Sequence, residues 1–129
     1  MGHGDDLVVV DCNFPAEAVA SQTISKRLIQ MPGLNSPEAV RTILSLLPLD
    51  TFVDDPLKRM EVVGNPAEIL NIHRETLAAA VEMEGRPLTL TPVERFAFYE
   101  LAKRSFAVVR TAEIRPYGCF ILRKGVINL

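Results

Sequence analysis

Apolar positions along this chain follow two rhythms. Leu7-Val8-Val9-Val10 is an unbroken apolar run rich in β-branched residues, the pattern of a strand buried on both faces and placed centrally in a sheet. Residues 59–63, 88–90, 106–109 and 120–122 read as further strands, and residues 26–30, closed by Pro32-Gly33, as a weaker one. Between them the spacing turns helical. After Ser36-Pro37-Glu38, the residues Val40, Ile43, Leu44 and Leu47 recur on one helical face until Pro48. Ser36 is suited to cap this helix and Pro37 to open it. Asn65-Pro66-Ala67-Glu68 and Thr91-Pro92-Val93-Glu94 repeat that grammar, each with a capping residue, a proline and a glutamate able to reach back to the cap. They predict one helix through Ile69, His73, Leu77 and Ala80 to Gly85, and another through Phe96, Tyr99 and Leu101 to about Arg104. Strands alternating with helices of this length predict an α/β fold, a three-layer α/β/α arrangement around a mixed, largely parallel sheet.

Composition narrows the class. The 129 residues suit one domain, spanning 1–129, with 48% apolar and 23% charged side chains, ordinary values for a folded globular chain. Fourteen basic against sixteen acidic residues leave a formal charge of −2, and basic residues cluster no further than pairs such as Lys26-Arg27 and Arg123-Lys124. Nucleic acid is therefore not an expected partner. The apolar runs are far shorter than the roughly 18 to 20 residues of a membrane helix, so no membrane association is expected. Asp5 and Asp6 stand where a secretion signal would need basic and then apolar residues. Two cysteines, Cys12 and Cys119, make no disulfide framework; they are expected as small, semi-buried core residues in a reducing cytoplasm.

Nucleotide-binding loops are missing from the sequence, and the two histidines, His3 and His73, stand seventy residues apart without a zinc-like spacing of further ligands. A reaction needing no cofactor and no metal is the kind that fits. Several side chains carry suitable chemistry, each with a plainer alternative. His3 lies between Gly2 and Gly4, which free the backbone to present an imidazole; spacing alone favours a disordered start. Asp11 ends the first strand, where ligands of α/β sheets bind, and could accept from two hydroxyls or simply cap the turn at Asn13. Arg95 opposes the helix dipole in a first turn, and is otherwise an exposed partner of Glu94 or Tyr99. Tyr117 offers a phenol that donates and accepts, or is a half-buried turn aromatic.

Three stretches change this weighting. Met1-Gly2-His3-Gly4-Asp5-Asp6, Glu94-Arg95-Phe96-Ala97-Phe98-Tyr99-Glu100 and Arg115-Pro116-Tyr117-Gly118-Cys119 occur in that order, the last leading into Phe120-Ile121-Leu122-Arg123-Lys124-Gly125. Asn13-Phe14-Pro15-Ala16 and Leu46-Leu47-Pro48-Leu49-Asp50-Thr51 accompany them. Nearly end to end, the chain resembles the L-fucose mutarotase and D-ribose pyranase family, in its fucose branch. The resemblance implies a cofactor-free isomerase that interconverts the anomers of an aldose by opening and closing its ring. It makes His3 the proton donor, with Tyr117 as a second catalytic group, and gives substrate contacts to Asp11, Arg95, Tyr117, Gly118 and Cys119. Arg95, where the ribose branch carries His, favours a 6-deoxyhexose such as L-fucose. It further implies a monosaccharide ligand and a homo-oligomer, from dimer to decamer. A pyranose to furanose isomerase of ribose type and a non-catalytic sugar-binding protein are the rival readings.

Two departures from the family pattern stand out. Cys119 replaces the family's Asn, and because turn main-chain groups are expected to face the ligand, the change is expected to cost little. The family's N-terminal helical segment before the Met-Gly-His-Gly-Asp motif has no counterpart, since the chain begins at Met1. One tension is geometric. His3 and Asp11 could stand up to roughly 26 Å apart if the chain between them is extended, so that either residues 2–6 fold back or a neighbouring subunit supplies one of the two.

Overall fold

The run Leu7 to Val10 has no polar face, and the sheet accommodates it by burying both sides. A computed structural model, describing residues 1–128, places β1 (Asp6–Val10) inside a six-stranded sheet. The other elements are α1 (Ala16–Ala20), β2 (Leu28–Met31), α2 (Ser36–Leu44), β3 (Leu57–Met60), α3 (Asn71–Glu84), β4 (Thr91–Val93), α4 (Arg95–Lys103), β5 (Ala107–Thr111) and β6 (Phe120–Arg123). The strand order is β2-β5-β1-β6-β3-β4. β6 runs antiparallel to its neighbours β1 and β3, while the other strand pairs are parallel. Leu7 and Val9 face α2 and α3, packing with Val40, Ile43, Leu44, Ile72 and Ala80. Val8 and Val10 face α1 and α4, packing with Ala16, Val19, Phe98 and Ala102. The alternation of β1 thus feeds two apolar cores, and the expected three-layer fold with a mixed, largely parallel sheet is the one observed.

Three helix starts differ from the sequence reading, each for a local reason. α2 is capped by Asn35, not Ser36: Asn35 Oδ1 accepts from the Glu38 N–H at 3.0 Å, and Glu38 Oε1 accepts from the Asn35 N–H at 3.0 Å. The stretch Asn65 to Leu70 makes a turn rather than a helix. Both halves of its would-be helical bond are taken by buried side chains, since the Pro66 carbonyl accepts from Arg59 Nη2 at 3.3 Å and the Leu70 N–H donates to His73 Nδ1 at 3.0 Å. α3 therefore begins at Asn71 and ends at Gly85, whose φ of +69° closes it in the left-handed region. Thr91 to Val93 is a strand at the sheet edge, where Pro92 lacks no needed donor. It displaces the strand expected at 88–90, and capping of α4 falls to Glu94, whose carboxylate accepts from the Phe96 and Ala97 N–H groups. α1, five residues long, is too short to show periodicity in the sequence.

Candidate functional site

The parallel strands bring their carboxyl ends to one edge of the sheet, and the antiparallel β6 begins at that same edge. Asp11 therefore follows β1 there, Met60 closes β3, Arg95 follows β4, and Tyr117-Gly118-Cys119 enter β6. These residues except Gly118, together with Tyr99 of α4, line a cleft of about 290 Å³, close to the lower end of the range of about 300 to 1,000 Å³ typical of small-molecule sites. Four side chains singled out in the sequence, those of Asp11, Arg95, Tyr117 and Cys119, thus belong to residues of its wall, and Gly118 lies between two of them.

Asp11 caps the turn, the plainer of the two roles its position suggested. Oδ1 of its buried carboxylate accepts from the Asn13 and Phe14 N–H groups at 3.0 and 3.1 Å, and Oδ2 accepts from the Gly118 N–H at 3.0 Å. Three of roughly four lone-pair sites of a carboxylate are then filled, so Asp11 has room for one further hydroxyl rather than two. Gly118 is fixed at both ends, since its carbonyl accepts from Ser36 Oγ at 2.8 Å. A Cβ here would meet Glu113 Cγ at 2.9 Å and Ser36 Oγ at 3.2 Å, which is why no side chain fits. Glu113 itself is buried and accepts from the Ser36 and Arg115 N–H groups and from the Arg115 guanidinium. Despite burial, those donors hold its carboxyl below the usual range.

Tyr117 adopts φ +62°, a left-handed conformation rare outside glycine. Its hydroxyl oxygen accepts from the Val63 N–H at 3.2 Å, leaving the phenolic proton to be donated elsewhere. The Arg95 guanidinium rests 5.7 Å from the Phe96 ring centroid and 5.8 Å from that of Tyr99, an aromatic seat that orients a cation. The expectation of free main-chain groups in the turn is not met: the Tyr117 carbonyl accepts from His73 Nε2, both Gly118 groups are engaged, and the Cys119 carbonyl accepts from the Met60 N–H at 3.2 Å. Cys119 is buried and lines the cleft, and burial first, then the Asp11 charge, pushes its thiol's pKa up. Cys12, expected to be semi-buried, is exposed; both thiols are free.

His3 stands elsewhere. It precedes β1, so it lies at the amino end of that strand, beside the carboxyl end of β6, where the Gly4 N–H donates to the Lys124 carbonyl. The five steps from Asp6 to Asp11 alone cover about 16 Å, which puts the imidazole and the cleft at opposite edges of the sheet within one chain. There His3 Nε2 is 3.2 Å from Oδ1 of Asp50, and its ring meets Phe52 edge-on, 5.0 Å between centroids at 82°. Asp50 is buried, and the Phe52 N–H, with a smaller contribution from His3, holds its carboxyl below the usual range. A carboxylate at hydrogen-bond distance from an imidazole nitrogen orients the ring. Asp50, Met60 and Tyr99 were not singled out in the sequence. Asp50 and Tyr99 lie inside the motifs quoted for the resemblance, but their roles depend on contacts with residues far away in the chain.

Among the described residues no cluster of three His, Cys, Asp or Glu side chains could hold a metal, and no helix is long and apolar enough to cross a membrane. A mixed α/β sheet with a polar cleft at its carboxyl edge defines a small-molecule-binding protein. The chain belongs to the RbsD / FucU transport protein family, whose profile it matches over residues 1–127. It is 41% identical to a protein of Homo sapiens named fucose mutarotase, across 100% of this chain and 84% of that one. FucU from Bifidobacterium longum superposes with a TM-score of 0.89 at 38% identity, over 99% of this chain and 88% of that chain. The fucose mutarotase of Streptococcus pneumoniae, solved in complex with L-fucose, superposes with a TM-score of 0.84 at 36% identity, over 99% and 87%.

Proposed function

We propose that this chain is an L-fucose mutarotase. The observation that carries the reading is the meeting of Asp11, Arg95 and Tyr117 around one small cleft, and the names of its relatives support the same substrate. In this reading the remaining acceptor site of Asp11, the Arg95 guanidinium and the phenolic proton of Tyr117 hold sugar hydroxyls. Met60 and Phe14, which also line the cleft, provide apolar surface for the methyl group of a 6-deoxy sugar. An acid gives a proton to the ring oxygen while a base takes one from the anomeric hydroxyl; the ring C–O bond breaks, the open aldehyde turns, and closure on the other face reverses both transfers. His3, oriented by Asp50, is the acid, and Tyr117 serves the second transfer. Only protons move, so the reaction itself calls for no cofactor.

The separation of His3 from the cleft along β1 supports a homo-oligomer in which His3 of one copy reaches the cleft of another. Two free thiols suit a reducing compartment such as the cytoplasm. Saturation-transfer NMR on equilibrated L-fucose tests the function: saturating the α anomeric proton is expected to attenuate the β signal only when the protein is present. Line broadening without transfer would identify a sugar-binding protein instead. Transfer confined to the pyranose and furanose forms of D-ribose would identify an isomerase of ribose type.

A further inference from the structure

We propose that His73 is a positioning residue, holding Tyr117 in the conformation that aims its phenol into the cleft. The inference rests on Tyr117 serving the sugar as proposed above. His73 is the third residue of α3 and is fully buried. Its Nδ1 accepts from the Leu70 N–H at 3.0 Å, so in the neutral ring the proton must sit on Nε2. Nε2 lies 3.2 Å from the Tyr117 carbonyl, and donates to it. One backbone bond at the start of α3 thereby dictates the tautomer, and the tautomer dictates a bond to the residue with left-handed φ. The imidazole also meets the Phe120 ring edge-on, 6.2 Å between centroids at 82°, three residues along the same segment.

Tyr117 is then held from two sides. α3 fixes its main chain through His73, and the loop after β3 fixes its hydroxyl through the Val63 N–H. His73 does not line the cleft, so it acts on the sugar only through Tyr117. Neutrality of the ring follows from its surroundings: burial first, then the Arg59 charge, lowers its pKa to about 4.

Two substitutions separate the two bonds. In His73→Asn the amide reaches the position of Nδ1 and keeps the Leu70 contact, but falls short of Tyr117. In His73→Gln the amide extends to the position of Nε2 and keeps the Tyr117 contact. For anomer exchange on L-fucose, the Asn variant is expected to lose about tenfold or more, as small misplacements in active sites do, and the Gln variant to stay within about threefold of wild type. In a Tyr117→Ala background, His73→Asn is expected to cost nothing further, which a purely structural role of His73 would not produce. A folded Asn variant with wild-type exchange, a Gln variant as impaired as Asn, or equal losses in both backgrounds would overturn the proposal. The amide NMR signals of Tyr117 and Val63 provide a readout independent of activity. They are expected to move in Asn and not in Gln, and a folded Gln variant with both displaced would overturn the proposal. Should the wild type exchange no sugar, the mutarotase reading fails, while those two signals still decide whether His73 positions Tyr117.

Discussion

If His3 is the acid, removing its imidazole takes away a proton transfer and leaves the cleft at the other edge of the sheet untouched. His3→Ala is therefore expected to lower anomer exchange by about a hundredfold or more, with sugar affinity measured by titration changing by only a small factor. Unchanged exchange would remove His3 from the mechanism. Arg95→His is expected to weaken L-fucose more than D-ribose, because the guanidinium resting on Phe96 and Tyr99 offers a forked donor that an imidazole cannot copy. Equal losses for the two sugars would end its role as selector. Cys119 reads differently once its neighbours are known. The Tyr117, Gly118 and Cys119 carbonyls and the Gly118 N–H are already bonded within the fold, which leaves the side chain at 119 as the group to test against the sugar. Cys119→Asn is accordingly expected to tighten L-fucose by about twofold to tenfold, the worth of one neutral hydrogen bond of about 0.5 to 1.5 kcal/mol. An unaltered Kd would show that the sugar does not reach position 119. The resemblance marked these residues and local spacing allowed the Asp11 cap at Asn13, yet nothing local in the sequence said that Asp11 would also accept from Gly118, or that Asp50 would meet His3.

At the scale of elements, two positions show how strongly the site depends on its frame. A methyl group at Gly118 would press on Glu113 and on the Ser36 hydroxyl that holds the Gly118 carbonyl. Gly118→Ala is expected to destabilise the protein by about 1 to 3 kcal/mol, read as a lower urea midpoint. Asn35→Ala removes one half of the capping box on α2 and is expected to cost about 1 kcal/mol, with the cleft unaffected. The element types were legible where apolar spacing was long or unbroken, as in β1, α2 and the body of α3. Boundaries failed where proline carried the signal. Asn65-Pro66 and Thr91-Pro92 look alike as sequences, but Arg59 and His73 divert the first into a turn and pairing with β3 draws the second into a strand. The first outcome turns on which backbone groups two nearby side chains reach, and the second on sheet pairing; neither is contained in the spacing of apolar residues.

For the whole molecule, stability is coupled to the charge of His73. Its folded pKa of about 4 lies below the ordinary 6.5 because of burial and Arg59, with Arg74 adding a little and the Tyr117 carbonyl opposing. The unfolded chain therefore binds more protons between those values, so this contribution is complete above about pH 6.5 and is lost as pH falls toward 4, to the extent of about 3 kcal/mol. Urea denaturation at pH 7 and pH 4.5 is expected to show that loss in wild type and a shallower one in His73→Gln. Assembly has its own signature. If His3 serves the cleft of another copy, mixing inactive His3→Ala with inactive Arg95→Ala is expected to restore exchange, up to about a quarter of wild type for random pairing of copies. Continued inactivity of the mixture would place His3 and cleft in the same chain. The layers and the carboxyl-edge location of the cleft were legible from the alternation of strands and helices. The wide separation of His3 from that cleft was only bounded, because the turn at His3-Gly4 is held at the amino end of β1 by bonds to Lys124. If the length of β1 means that His3 acts on the cleft of another copy, the rate obeys a law of mass action. A site shared between copies vanishes when they dissociate, so exchange per milligram should fall on dilution and recover on reconcentration. Strict proportionality between rate and protein, at concentrations where sedimentation shows single chains, would mean that each copy works alone.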